Sequence, residues 1–342
     1  MVRNLNFRIQ GVKWPRVQVV NAFYLNPRTL ESLNPFKNFL QKEAIMQPSD
    51  LFEPYKGEVK ELTIGPSEKA VKVGGEKTLP FHAFEGKEGT PVKFALEVYD
   101  VPPEGWSQHL ISSYSDVLSD PIAWANKCIK TYGADLISLY LASLDSENYD
   151  VKKIAENVKK IAESISVPLI VISVGDKDKD AKALVEIAKV CAGKNLLMGP
   201  LVKENFEEIA KAALEGGHSI IPQSPLDINL CKELNVKLGK FFPKEKMAID
   251  PLSAAIGYGI DYSFSIFERL KQVAVIHNDA MMKNPIIANI GKDCWKTKEA
   301  KEDKTQGIMW EALTAFTLIL AGANIVIMRH PESLRLVKKL VS

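Results

Sequence analysis

Carboxylates, amides and a few basic groups follow eight short apolar runs, and the chemistry of this chain must be sought among them. They are Asp100 after the first run, Ser143, Asp145 and Asn148 after the second, and Asp176 after the third. Lys203 and Glu204 follow the fourth run, Gln223, Ser224 and Asp227 the fifth, and Asp250 and Ser253 the sixth. Asn289 and Asp293 follow the seventh, and Arg329 and His330 the eighth. A metal-assisted hydrolase needs several histidines at such positions. The five histidines are His82, His109, His218, His277 and His330, and only His330 follows a run. A Schiff-base aldolase needs a lysine within a strand. Lys203 lies beyond its run beside Glu204, which suits an ion pair or a helix start. No GxGxxG or GxxxxGK[ST] pattern occurs. Arg329-His330-Pro331 supplies no glycine-rich phosphate turn. Each carboxylate by itself suits a helix N-cap. The set as a whole is polar and uncrowded, without a nucleophile or a metal cage. It suits a protein that receives a large prebuilt cofactor better than one that performs acid–base chemistry itself.

The four cysteines are Cys128, Cys191, Cys231 and Cys294, and no CxxC pair occurs. A cluster held by this chain alone is therefore not expected. Cys128, Cys191 and Cys231 fall on predicted helices and read as small buried thiols. Cys294 lies in a strand-end loop and is the one candidate for thiol reactivity.

The runs themselves span 92–98, 134–141, 168–174, 195–201, 219–222, 246–249, 286–290 and 324–328. Most are rich in Val, Ile and Leu, as strands buried on both faces should be. A helical stretch follows each. Parallel strands require such crossovers, and eight of them predict a (β/α)8 TIM barrel over residues 91–342. Residues 150–164 place Ile154, Val158 and Ile161 on one stripe, with Asp150 as N-cap. Helices are also expected over about 179–192 and 205–214, the second stopped by Gly216–Gly217. The charged segment 291–306 reads as a long, mobile functional loop.

Ahead of the barrel, residues 1–60 carry five prolines and eight aromatics up to Tyr55. Such a segment reads as an N-terminal arm that packs onto the barrel or docks a partner. Residues 61–90 read as a β-hairpin region capping the barrel. Alternation at 61–65 and 71–73 supplies its strands and Gly74–Gly75 its turn.

Across 342 residues, 44 Lys plus Arg against 42 Asp plus Glu leave a net charge of +2, which offers nucleic acid no basic surface. The N-terminus lacks the apolar core of a signal peptide. The apolar stretch 308–328 contains Glu311 and Asn324, so it reads as a crossover helix plus the eighth strand, not a membrane span. A cytoplasmic protein is expected.

Several longer segments are familiar in order. They are VGGEKTLPFHAFEG at 73–86, ALEVYD at 95–100, YGADLISLYLASLD at 132–145 and LLMGPLVKENFEEIAKAAL at 196–214. DPLSAAIGYGIDYSFSIFERLK at 250–271 and GKDCWKTKEA at 291–300 continue the series. Together they resemble the small subunit of the corrinoid iron–sulfur protein, the subunit called delta in the acetyl-CoA decarbonylase/synthase complex. The resemblance covers nearly all of 70–342, whereas residues 1–60 fall outside it. It implies a (β/α)8 barrel paired with a large subunit that holds the 4Fe-4S cluster. The corrinoid (a cobalamin) would lie between the two subunits, facing the strand-end loops of the small one. It would take a methyl group from a methyl-tetrahydropterin or its folate analogue, through a separate methyltransferase. It would then deliver that group to CO dehydrogenase/acetyl-CoA synthase in the reductive acetyl-CoA (Wood–Ljungdahl) pathway. In that setting the barrel is a non-catalytic or co-catalytic shield. Ser224, Asp250, Asn289 and Gly291 are then expected near the corrin edge, as strand-end positions without competing roles. The alternative is a stand-alone pterin-dependent methyltransferase barrel, in which Asp100, Asp145, Asp250 and Asn289 would surround the pterin.

Overall fold

A computed structural model describes residues 55–80 and 88–341, so the arm expected over 1–60 lies almost wholly outside the described residues. From residue 57 the chain is tied to the barrel. Gly57 N–H donates to Val275 O at 2.9 Å and Val59 is buried. Strands β1 (Leu62–Ile64) and β2 (Val71–Val73) pair antiparallel. Gly74–Gly75 does not join them; it follows β2, and the connection is a 3-10 turn over Ser67–Lys69. The alternating segments form the two strands, and the glycines serve the exit from the hairpin. The pair lies against the N-terminal ends of the barrel strands. Asn195, just before a strand, donates its side-chain amide to Thr63 O and Gly65 O at 2.9 and 3.1 Å. Lys69 Nζ donates to Ala162 O and Ile165 O at 2.6 and 2.8 Å, capping the last turn of a helix.

Seven runs become one curved ladder because both of their faces are buried. β3 (Lys93–Tyr99) pairs in parallel with β4 (Leu136–Tyr140), which pairs with β5 (Leu169–Ile172). β6 (Leu197–Leu201) and β7 (Ser219–Pro222) continue that side. On the other side β3 pairs with β9 (Ile325–Met328), and β9 with β8 (Ile287–Asn289). The expected sixth strand forms isolated bridges instead of a continuous ladder. Met247 and Asp250 bridge Ile220 and Gln223, while Ile249 bridges Ile286. Its backbone donates both ways, Ala248 N–H to Ile220 O at 3.0 Å and Ile249 N–H to Pro285 O at 2.8 Å. These bridges close the eight staves into the TIM barrel.

Helices cover the outside in the expected alternation. They are α1 (Gln108–Ile111) and α2 (Pro121–Lys130) after β3, α3 (Val151–Ser164) after β4 and α4 (Lys177–Val190) after β5. α5 (Phe206–Gly216) follows β6, α6 (Ile228–Leu238) follows β7, and α7 (Ile260–Val275) follows the bridged stave. Asp150, Asp176 and Asp227 accept backbone N–H groups as N-caps, so these strand-end carboxylates are helix starters. α4 begins at Lys177, ahead of its expected start, because Asp176 is its cap. The segment 291–306 is helical, not an irregular loop. It forms α8 (Gly291–Cys294), α9 (Lys298–Glu302) and the start of α10 (Lys304–Leu320). Thr297 and Asp303 cap the last two. α11 (Pro331–Val341) completes the ring after β9. No described helix is long and apolar enough to cross a membrane.

Candidate functional site

Strand alternation and register decide which side chains enter the barrel. β3 pairs Glu97 with Ser138 and Tyr99 with Tyr140, and β8 pairs Asn289 with Ile327. Arg329 continues the face of Ile327. The opposite face of β3 carries Phe94, whose ring lies 5.6 Å under Lys338 of α11. Glu97, Tyr99, Ser138, Tyr140, Asn289 and Arg329 therefore face the axis, towards the end of the barrel where the strands finish.

Arg329 organises this face. It is buried, and its Nε donates to Glu97 Oε2 on β3 while Nη2 donates to Tyr99 Oη at 2.6 Å. The guanidinium lies 4.9 Å from the Trp106 ring centroid and 5.5 Å from that of Tyr99, beside two rings that meet edge to face 5.1 Å apart. Burial works against its charge, but the Glu97 carboxylate and Tyr99 outweigh burial and hold its pKa above the ordinary value. Glu311 of α10 accepts the backbone N–H groups of Arg329 and His330 at 2.5 and 3.0 Å. Burial pushes the Glu311 carboxyl upward, against those donors. Tyr99 contacts Tyr140 with centroids 4.8 Å apart, and Lys292 Nζ sits 5.2 Å above the Tyr140 ring. A cavity of about 780 Å³ opens beside this column, lined by Tyr99, Asp100, Tyr140, Ser143, Asp145 and Lys292 among others. Asp100 does not face it freely. Its oxygens accept the Ser143 hydroxyl and, at 3.0 Å, the Ser143 N–H.

The four residues expected near a cofactor fall on neighbouring strand ends with different tasks. Asp250 is buried, with Oδ2 accepting Gln223 Nε2 at 2.8 Å and Oδ1 accepting Leu252 N–H at 2.9 Å. Burial raises its pKa to about 6, against those hydrogen bonds. Ser224 donates its backbone N–H to Asp250 O at 3.1 Å, while its buried Oγ has no oxygen or nitrogen partner. Asn289 Oδ1 is likewise buried without a partner. Gly291 opens α8 under Arg329, where an added Cβ would stand 2.7 Å from Arg329 Cγ. The structure joins Ser224 to Asp250 and packs Gly291 on Arg329. It gives no direct bond between these two pairs.

The other candidates resolve more simply. His330 is buried and stacked on Trp295 with centroids 5.3 Å apart, and burial lowers its pKa to about 4. His218 is buried between Leu196 N–H and Ala188 O, at 3.1 and 3.0 Å. Lys203 forms an ion pair, with Glu233 of α6 at 3.8 Å rather than with the adjacent Glu204. Cys294 is buried in α8 and burial pushes its thiol pKa well up, so it is not a reactive thiol. No group of three or more His, Cys, Asp or Glu among the described residues could hold a metal ion. Sequence reasoning missed Glu97, Glu311 and the Tyr99–Trp106–Tyr140 set. The signal was present in one form, as two lone acids inside apolar runs.

The profile of the CO dehydrogenase/acetyl-CoA synthase delta subunit family matches residues 61–341. The chain belongs to this family. It is 32% identical over 284 residues to the acetyl-CoA decarbonylase/synthase complex subunit delta of Methanopyrus kandleri, covering 80% of this chain and 70% of that protein. The delta subunit of Archaeoglobus fulgidus is 30% identical over 329 residues, covering 87% of this chain and 72% of the relative. Among solved structures, 7,8-dihydropteroate synthase from Vibrio fischeri ES114 superposes with a TM-score of 0.54 at 12% identity, covering 81% of this chain and 96% of that one. Dihydropteroate synthase from Coxiella burnetii, solved with pteroic acid, gives 0.52 at 11% identity, covering 83% and 98%. These likenesses establish the barrel of this delta subunit family member and nothing of its ligands. They do not favour the stand-alone methyltransferase reading.

Two outcomes follow from this geometry. Arg329→Met leaves Glu97 buried and unpaired, and is expected to cost roughly 3–5 kcal/mol in urea unfolding. The double variant Glu97→Met/Arg329→Met should recover most of that loss. Equal losses in both variants would contradict a coupled pair. The Asp250 carboxyl binds its proton more tightly folded than unfolded. Its stabilising share is complete below its ordinary pKa of 3.8 and lost as pH rises to about 6. The melting temperature of Asp250→Asn relative to the wild type should therefore climb between these pH values and then level. A difference independent of pH would contradict the assignment.

Proposed function

We propose that this chain is the barrel subunit of a heterodimeric corrinoid iron–sulfur methyl carrier. It covers the corrinoid at the strand-end face while a methyl group passes from a methyl-tetrahydropterin methyltransferase to acetyl-CoA synthase. In this reading the large partner subunit holds the 4Fe-4S cluster and shares the corrinoid. Family membership supports a role within a larger complex. The observation that carries the cofactor reading is the unpartnered Oδ1 of Asn289, buried at the end of β8 on the axial face. A buried acceptor without a donor costs folding free energy of about 1–3 kcal/mol, so it is kept for a donor from outside the chain. The edge of a corrinoid carries primary carboxamides, which are such donors.

The remaining residues fit a holding role. Arg329, held by Glu97 and Tyr99, stiffens the floor under the mouth. Asp250 positions the turns around it through Gln223 and Leu252. Gly291 lets α8 approach Arg329 closely enough to place Lys292 over Tyr140. The corrinoid, when bound, would supply the nucleophile and the methyl acceptor. The barrel excludes water and competing electrophiles from it. Four unpaired cysteine thiols support a reducing, cytoplasmic setting.

The test is Asn289→Ala in the heterodimer. Because Oδ1 has no partner within the chain, the variant barrel should melt within about 2 °C of the wild type. Corrinoid retained per heterodimer, read by visible absorption after dialysis, should fall about tenfold. Unchanged retention would remove the residue from the site.

A further inference from the structure

The end of the barrel away from the strand-end mouth holds a second cavity, of about 520 Å³. It opens between the stretches that precede β3 and β9 and the last turns of α10 and α11. Leu79, Val92, Phe316, Leu320 and Leu340 give it apolar walls. A cavity of this size, apolar for the most part with a few convergent polar groups, has the form of a small-molecule site.

Its polar end is built from buried groups. Lys271 of α7 is 2% exposed, and its Nζ donates to Glu76 Oε1 and, at 2.7 Å, to Asn324 Oδ1. The Asn324 amide donates to the same Glu76 Oε1 at 2.9 Å. Both donors thus converge on one carboxylate oxygen, and Oε2 is left buried without a partner. Gly89 brings no side chain to that oxygen; an added Cβ would stand 2.7 Å from it. Burial pushes the Glu76 carboxyl up, but Lys271 and Asn324 outweigh burial and hold it below its ordinary pKa. It therefore carries its charge. A buried charged acceptor with one open oxygen costs folding free energy until a donor meets it.

The sign of the ligand follows from the charges around it. Among the described residues two carboxylates, Glu76 and Glu88, line the cavity against one ammonium, Lys271, which is already engaged. α10 and α11 both finish here, at Leu320 and Val341. The C-terminal ends of helices carry negative potential, which favours a cation. An anionic ligand would be repelled by all of these groups, and a neutral one would leave the excess negative charge unbalanced.

We infer that this cavity is a binding site for an aliphatic primary amine. Its ammonium meets the Glu76 and Glu88 carboxylates, and its alkyl chain lies along Phe316, Leu320 and Leu340. Such a site is separate from the corrinoid face and stands whether or not a corrinoid binds there. Glu76, Lys271 and Asn324 join the hairpin exit to α7 and β9, so an amine held by them tightens this end of the barrel.

The probe is n-hexylammonium, titrated by calorimetry into the full chain near neutral pH. One saturable site per chain is expected, with a rise in melting temperature as the amine saturates it. Hexan-1-ol and hexanoate carry the same alkyl chain without the ammonium, and should bind at least about tenfold more weakly. Glu88→Lys reverses a charge on an exposed residue. Without amine it should melt within about 2 °C of the wild type, and its affinity for hexylammonium should fall at least about tenfold. Leu340→Ser, at a residue 56% exposed, should fold normally and weaken the same binding. Glu204→Lys, at an exposed acid on the strand-end side, should leave it unchanged. Absence of saturable hexylammonium binding overturns the site. Equal binding of hexan-1-ol overturns it too, as does affinity within about threefold of wild type in both Glu88→Lys and Leu340→Ser.

Discussion

A guanidinium–carboxylate pair inside the barrel ties its last stave to its first. Glu97 lies on β3 and Arg329 directly follows β9, two strands that neighbour in space yet stand at opposite ends of the barrel sequence. Removing both ions from water is costly, and their attraction offsets this only when every remaining donor and acceptor is engaged. Here Tyr99 takes a second guanidinium nitrogen, the Trp106 ring lies 4.9 Å from the guanidinium, and Glu311 accepts the backbone N–H groups of Arg329 and His330. One residue thus couples β3, β9, α10 and the aromatic wall. The close approach of α8 depends on it too, since Gly291 is packed on its side chain.

With that floor rigid, the strand ends can carry groups that the chain does not satisfy by itself. Asn289 Oδ1 and Ser224 Oγ are buried without an oxygen or nitrogen partner, and Leu226 and Leu252 hold left-handed backbone with exposed side chains. In the proposed heterodimer a cofactor and a partner would meet such groups. The opposite end carries a polar knot of its own, in which Glu76 Oε2 is also buried without a partner. There Lys271 pairs with Glu76, and Asn324 bonds both Lys271 and Glu76, so hairpin exit, α7 and β9 are locked together.

The barrel was legible in the sequence because a strand buried on both faces must be apolar throughout, and crossover helices must be amphipathic. Asp150 was legible as a cap, since little else explains a carboxylate one residue before a helical stripe. Other features depend on long-range partners and were not legible. The sixth stave is held by bridges alone, and 291–306 is helical because Thr297 and Asp303 cap short helices there. Glu97 and Glu311 were visible as acids in apolar company, but nothing local named Arg329 as their common partner. Two Pro-Leu turns gave no hint of left-handed backbone, because the hydrogen bond that enforces it joins residues 226 and 251.

The most direct measurement is a visible absorption spectrum with iron and cobalt analysis of this chain purified alone and after co-expression with its candidate large subunit. The account predicts a colourless chain alone, and corrinoid absorption with stoichiometric iron only in the co-purified heterodimer. Methyl transfer from a methyl-pterin to added corrinoid by the chain alone would contradict it.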